Sequence, residues 1–190
     1  PASGGYSWGS SPIVSDCALS ATFIPVSGYT SLNPSRILDT RAIGVTSDGL
    51  FAKGGAVSGG NSIDLTVLGR GGVPASGVKA VVLNVTATGT TTASYVTVWP
   101  TGSAVPGASN LNIYPGQNNT NLVIAKVGTN GKVSLFNALG ATDLIADVQG
   151  YFSDTADLTP LAPMRLLDTR SFGSTVDGMF QKLGALTGMA

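Results

Sequence analysis

Residues 29–61 of this chain return, without a gap, as residues 158–190, and that repetition narrows the possible folds more than any other feature. Arg36-Ile37-Leu38-Asp39-Thr40-Arg41 reappears as Arg165-Leu166-Leu167-Asp168-Thr169-Arg170 at an offset of 129, and 17 of the 33 paired positions are identical. A period of that length is domain-sized, so it marks an array of whole domains rather than a solenoid of small units. The expected organisation is an N-terminal arm over 1–20, a complete repeat over 21–153 and a partial second repeat over 154–190.

Composition removes several classes of function. Only 11% of the residues are charged and the formal net charge is zero, so no basic stripe exists for a phosphate backbone or an anionic membrane surface. Nucleic acid is therefore excluded as a partner. No apolar run is long enough to span a bilayer as a helix, which speaks against membrane insertion. The chain has neither His nor Glu, and all ten of its carboxylate side chains are Asp. A Ser-His-Asp or Cys-His nucleophile cannot be assembled, nor a His-based metal centre. No enzyme activity, cofactor or metal is expected. Cys17 is the single cysteine and permits no disulfide within the chain. The first fifteen residues, rich in Gly and Ser, read as a flexible arm, in which Tyr6 and Trp8 are candidates for contact with a neighbour.

From Ala21 the pattern is β. Short segments rich in Val, Ile, Thr and aromatics are punctuated by Gly, Pro and Asn, which predicts strands at 20–26, 35–39, 62–68, 78–87, 93–99, 109–114, 120–127, 131–136 and 142–152. Ile63/Leu65/Val67, Val81/Leu83/Val85 and Val133/Leu135 give each strand one apolar face, as two stacked sheets require. Asn130-Gly131 and Pro115-Gly116 read as hairpin turns. The predicted fold is an all-β, two-layer β-sandwich, jelly-roll or immunoglobulin-like, followed by the incomplete start of a second repeat.

Candidate functional residues fall into three groups. Arg36, Asp39 and Arg41, with Arg165, Asp168 and Arg170 in the second copy, suit an Arg–Asp network that pins a long loop, or a grip on sugar hydroxyls or a partner's carboxylate. Strand alternation places Arg36 and Leu38 on one face, and Ile37 and Asp39 on the other. Within the loop that follows, Asp48 could supply one oxygen to calcium, although no dense ligand ladder accompanies it. Asn110, Asn112, Asn119 and Asn121, with Tyr114 beside them, offer the paired amides and aromatic face of a carbohydrate site; Asn is equally a residue of turns. Tyr95 and Trp99 share a strand face with Thr97, an arrangement suited to packing. Asp143 and Asp147 share a face of the last strand, where an Arg or a loop backbone is the expected partner. The third group is apolar: Leu166, Leu167, Phe172 and Phe180 lie in a two-strand remnant too small to bury them, and are candidates for contact between subunits.

Several stretches together resemble a known repeat: Arg36 to Arg41, Gly72-Val-Pro74, Ala80-Val-Val-Leu-Asn-Val-Thr86, Val98-Trp-Pro100, Ser109-Asn-Leu-Asn112 and Asp143 to Phe152. The set resembles the β-rich tandem repeat of large secreted and cell-surface proteins of actinobacteria and related Gram-positive bacteria. The resemblance covers 30–152 in full and 158–190 in part. It implies a secreted or cell-surface location, a place in long multi-repeat chains or beside hydrolase domains, and no catalytic residues. The expected role is structural, with other copies of the chain or neighbouring repeats as partners and head-to-tail polymers or surface filaments as the product. The alternative is a carbohydrate-binding module that takes cell-wall or extracellular polysaccharide.

Overall fold

A computed structural model describes residues 28–185. The arm with Tyr6, Trp8 and Cys17, and the whole of the strand expected at 20–26, lie outside the described residues. Among the described residues nine strands form: β1 (Tyr29–Asp39), β2 (Val57–Ser58), β3 (Asn61–Thr66), β4 (Val78–Thr88), β5 (Ser94–Pro100), β6 (Leu111–Ile113), β7 (Asn119–Lys126), β8 (Lys132–Asn137) and β9 (Ala141–Ser153). They make two antiparallel sheets, one ordered β1-β9-β4-β7 with β2 added to β9, the other ordered β3-β8-β5-β6. The sheets stack face to face. Ile37, Leu83, Val85, Leu144 and Val148 from the first meet Leu65, Val96, Val98, Ile113 and Leu135 from the second, all essentially without exposure. The sandwich is the predicted one.

The pairing β1–β9, β3–β8, β4–β7 and β5–β6 is nested, as if one long hairpin with β5–β6 at its tip had been rolled up. That is jelly-roll connectivity, and it selects between the two sandwich topologies open to the sequence. It also overturns both expected hairpins. Asn130 and Gly131 do adopt positive φ, at 57° and 69°, yet they carry the chain from β7 in one sheet to β8 in the other. Pro115-Gly116 forms a turn closed by Gln117 N–H to the Tyr114 carbonyl at 3.3 Å, and likewise joins β6 and β7 across the sheets. The turn chemistry was right in both places. A turn sets the local backbone but not the strand's partner, which in a rolled sheet lies far away in sequence.

The expected facing of Arg36 and Asp39 is corrected as well. Arg36 pairs with Asp147 and Leu38 with Ala146, so one extra residue of β1 sits between two adjacent partners on β9. This β-bulge shifts the phase by one. Ile37 and Leu38 therefore both enter the interior, at 0% and 1% exposure, while Arg36 and Asp39 come to the same outer face.

Beyond β9 the chain contains no further strand among the described residues. The two-strand remnant expected there is instead an irregular segment with one isolated bridge, Asp168 to Gln181. A strand needs a neighbour to fill its hydrogen bonds, and the described residues supply none at this place.

Candidate functional site

The loop after β1 is organised by a carboxylate. Asp39, with no exposure, accepts Arg41 Nε at 2.9 Å and Arg41 Nη2 at 2.7 Å, and lies 3.3 Å from Arg36 Nη1. Arg36 then reaches across to β9, where its Nε donates to Asp147 at 2.8 Å. The Arg41 guanidinium holds the Asp39 carboxyl below the usual carboxylate range, against the opposing pull of burial. Asp147 raises the Arg36 pKa by the matching hydrogen bond. Thr40 completes the junction: its hydroxyl donates to Asp143 at 2.8 Å and accepts Leu144 N–H at 3.0 Å. Asp143 and Asp147 thus share one face as expected and both bind groups of the β1 end.

Backbone bonds fold the loop over this clamp. Asp39 N–H donates to the Phe51 carbonyl at 3.1 Å, and Lys53 N–H to the Asp39 carbonyl at 2.9 Å. Gly44 passes so close that a Cβ there would lie 2.7 Å from Asp39 Oδ1. Gly44→Ala should therefore lower stability by about 1–3 kcal/mol, the usual cost of overpacking, read as a shift of the urea midpoint.

The residue that locks the loop to the sandwich was not foreseen. Arg70 is buried and binds Asp48 through Nε at 2.7 Å and Nη2 at 2.8 Å. It also donates to the carbonyls of Thr66, Ile37 and Leu50, and lies 4.9 Å from the centre of the Phe51 ring. This arrangement answers the calcium suggestion: both Asp48 oxygens are occupied by a guanidinium. Among the described residues no cluster of three or more acidic or Cys side chains could hold a metal ion. The only available signal was an Arg between Gly69 and Gly71-Gly72 in a chain poor in charge.

The Arg70 guanidinium depresses the Asp48 pKa to about 2 from its ordinary 3.8. A carboxyl depressed by folding adds stability above its unfolded pKa, and that stability disappears as pH falls through the folded value. Urea unfolding should thus show a loss on the order of 1–2 kcal/mol from this pair between about pH 4 and pH 2, solvent screening included. The Arg70→Ala variant should lack that component.

The second copy rebuilds the internal bonds of the clamp, without counterparts to the Arg36–Asp147 and Thr40–Asp143 bonds that reach β9. Asp168 accepts Arg170 Nε at 2.8 Å and Nη2 at 2.6 Å, and lies 3.3 Å from Arg165 Nη1. Asp168 N–H donates to the Phe180 carbonyl at 3.0 Å, Lys182 N–H to the Asp168 carbonyl at 2.8 Å, and Val176 N–H to the Arg165 carbonyl at 3.0 Å, as Ser47 does to Arg36 at 2.8 Å. Even the positive φ values of Phe51 and Lys53, 55° and 59°, return at Phe180 and Lys182 as 49° and 56°. The Asp168 carboxyl is held at about 2 by the Arg170 hydrogen bonds. Surroundings are what differ. Leu166 and Leu167 are each 60% exposed where Ile37 and Leu38 are buried, and Phe172 and Phe180 are exposed too. Gly173 approaches Asp168 as Gly44 approaches Asp39, with a Cβ position 2.7 Å from the Asp168 carbonyl. Gly173→Ala should nevertheless leave the sandwich's urea midpoint unchanged, because nothing in the sandwich core rests on it.

Elsewhere, Asn110, Asn112, Asn119 and Asn121 do line one open cleft, together with Leu111 and Thr120. Part of this polarity is already used. Asn110 Oδ1 accepts Val98 N–H at 2.7 Å, and Asn121 Nδ2 donates to the Asn110 carbonyl at 2.7 Å. Tyr114 is exposed, but it does not line the cleft. Trp99 is buried with its Nε1 donating to the Ser103 carbonyl at 3.1 Å, and Thr97 bonds the Ala108 carbonyl at 2.9 Å, so the 101–109 loop covers both. Tyr95, at the near end of that face, borders a second cleft with Ser109, Asn112, Arg165 and Arg170. No protein-family model and no curated protein matches the chain.

Proposed function

We propose that this chain is a non-catalytic structural repeat of an extracellular or cell-surface assembly, joined to other copies through the repeated segment that follows its sandwich. One observation carries the reading: the 165–184 segment holds the full internal bonding of 36–55, yet presents to solvent the leucines that its counterpart buries. A preformed element with an unburied apolar side is an interaction surface. Contact through one end of a molecule onto a different surface of the next is heterologous, and where its rotation does not close into a ring the product is a linear polymer. The resemblance to repeats of secreted actinobacterial proteins supplies the extracellular setting. Light scattering across a concentration series tests the reading. The full chain should grow in mean mass, and the chain lacking 158–190 should remain a monomer; identical behaviour of the two would overturn it.

A second reading, a carbohydrate-binding module attached to a secreted hydrolase, is favoured by the shared cleft of Asn110, Asn112, Asn119 and Asn121. It requires retardation on immobilised cell-wall or plant polysaccharide that Asn112→Ala abolishes and that deletion of 158–190 leaves intact. A chain that passes unretarded over these polysaccharides removes it.

A further inference from the structure

We infer that the joint is a strand exchange, in which residues 158–170 of one copy take the place of β1 on strand β9 of a second copy. The inference rests on the assembly reading above and names its partner surface. Four observations lead to it. First, the exposed segment already has the conformation that β1's end has when bound to β9, including the clamp geometry and the parallel bridge (Asp39 to Ala52, Asp168 to Gln181). Second, the side chains that β9 recognises are present again: Arg165 for Arg36, which binds Asp147; Thr169 for Thr40, which binds Asp143 and Leu144; and Leu166 and Leu167 for the buried pair Ile37 and Leu38. Charge is complementary, since Arg165 and Arg170 share only the Asp168 carboxylate among the described acids, while Asp147 is the acid that completes Arg36. Third, β1 is an edge strand that pairs with β9 alone. Fourth, β1 and β9 are the outermost of the nested pairs, so β1 can leave without any other strand being unthreaded. Because the incoming strand buries Leu166 and Leu167 as the outgoing one exposes Ile37 and Leu38, and the two make equivalent bonds, exchange between two copies is close to balanced, and concentration sets the population of the joined state.

The register of β1 fixes where the exchanged strand must lie. Tyr29 pairs with Phe152, and at the offset of 129 Leu158 takes its place. This is a non-hydrogen-bonded pair, because the neighbouring Ser153 N–H bonds the Gly28 carbonyl at 2.7 Å, and such pairs bring Cβ atoms closest. Two full-length variants in a Cys17→Ser background, one with Leu158→Cys and one with Phe152→Cys, are mixed under mild oxidation at a concentration where the chain associates. A covalent heterodimer should form in high yield. Leu158→Cys mixed with Leu122→Cys, an exposed position on the opposite edge strand β7, should give little. Equal yields from the two mixtures, or association without the 158–152 link, would overturn strand exchange and leave the assembly reading standing. A chain that does not associate at any concentration would overturn both. As an independent arm, Leu166→Asp combined with Leu167→Asp should abolish association without altering the urea midpoint of the monomer; association that survives this change would also overturn the exchange.

Discussion

Replacement of Arg70 by Ala should destabilise the sandwich by about 3–5 kcal/mol, the cost of removing one member from a buried ionic network. The guanidinium is buried and binds three chain segments at once: Asp48 and the Leu50 carbonyl in the loop, the Ile37 carbonyl in β1, and the Thr66 carbonyl at the end of β3. Its loss leaves those carbonyls short of a donor and the Phe51 ring without its cation, in a region that water enters poorly. Arg70→Lys should recover only part of the loss, because one ammonium cannot reproduce a bidentate fork together with three carbonyl bonds. Urea unfolding followed by tryptophan fluorescence measures the effect, since Trp99 is buried in the sandwich. A change below about 1 kcal/mol, the size usual for an exposed ion pair, would show that the loop is not held by this residue.

Leu38→Ala should cost about 2–5 kcal/mol, and Leu167→Ala less than about 0.5 kcal/mol in the monomer. The two residues occupy equivalent positions of the same motif and differ only in what covers them. Leu38 is 1% exposed, on a strand bonded to β9, whereas Leu167 is 60% exposed. Any intrinsic contribution of the hexapeptide to backbone conformation is common to both sites, so the difference isolates burial. Under conditions of association the order should change: Leu167→Ala should then weaken self-association, while Leu38→Ala, by loosening β1, should promote replacement of that strand. Equal destabilisation by the two substitutions at high dilution would mean that the tail belongs to the same core.

The layered β architecture was legible because each sheet has one wet and one dry face, and alternation such as Val81/Leu83/Val85 records that difference residue by residue. The jelly-roll pairing was not legible. Asn130-Gly131 and Pro115-Gly116 specify turns, and nothing in four residues reveals that the flanking strands separate into different sheets. The clamp was half visible. Its acid and bases could be named from repetition, but the bulge that brings Arg36 and Asp39 to one face arises from pairing with β9, more than a hundred residues later. Arg70 escaped notice because its partners are mostly backbone carbonyls, which carry no sequence signature. The repeated Gly44 and Gly173 held a readable hint of close approach, since a glycine retained in both copies of a divergent loop marks a place where a Cβ does not fit. Tyr95 and Trp99 were assigned to packing; the 101–109 loop covers Trp99, whereas Tyr95 stays 42% exposed.

Hydrogen exchange on this chain tests most directly whether the segment after β9 is a copy of the β1 end and its loop that the sandwich core does not cover. At high dilution the Asp39, Lys53 and Gly55 amides should exchange only through global unfolding, and the matching Asp168, Lys182 and Gly184 amides should exchange far faster through local opening. At concentrations that drive association the second set should slow towards the first. Equal protection of both sets at high dilution would contradict the account, as would a second set that stays fast once the chains have joined.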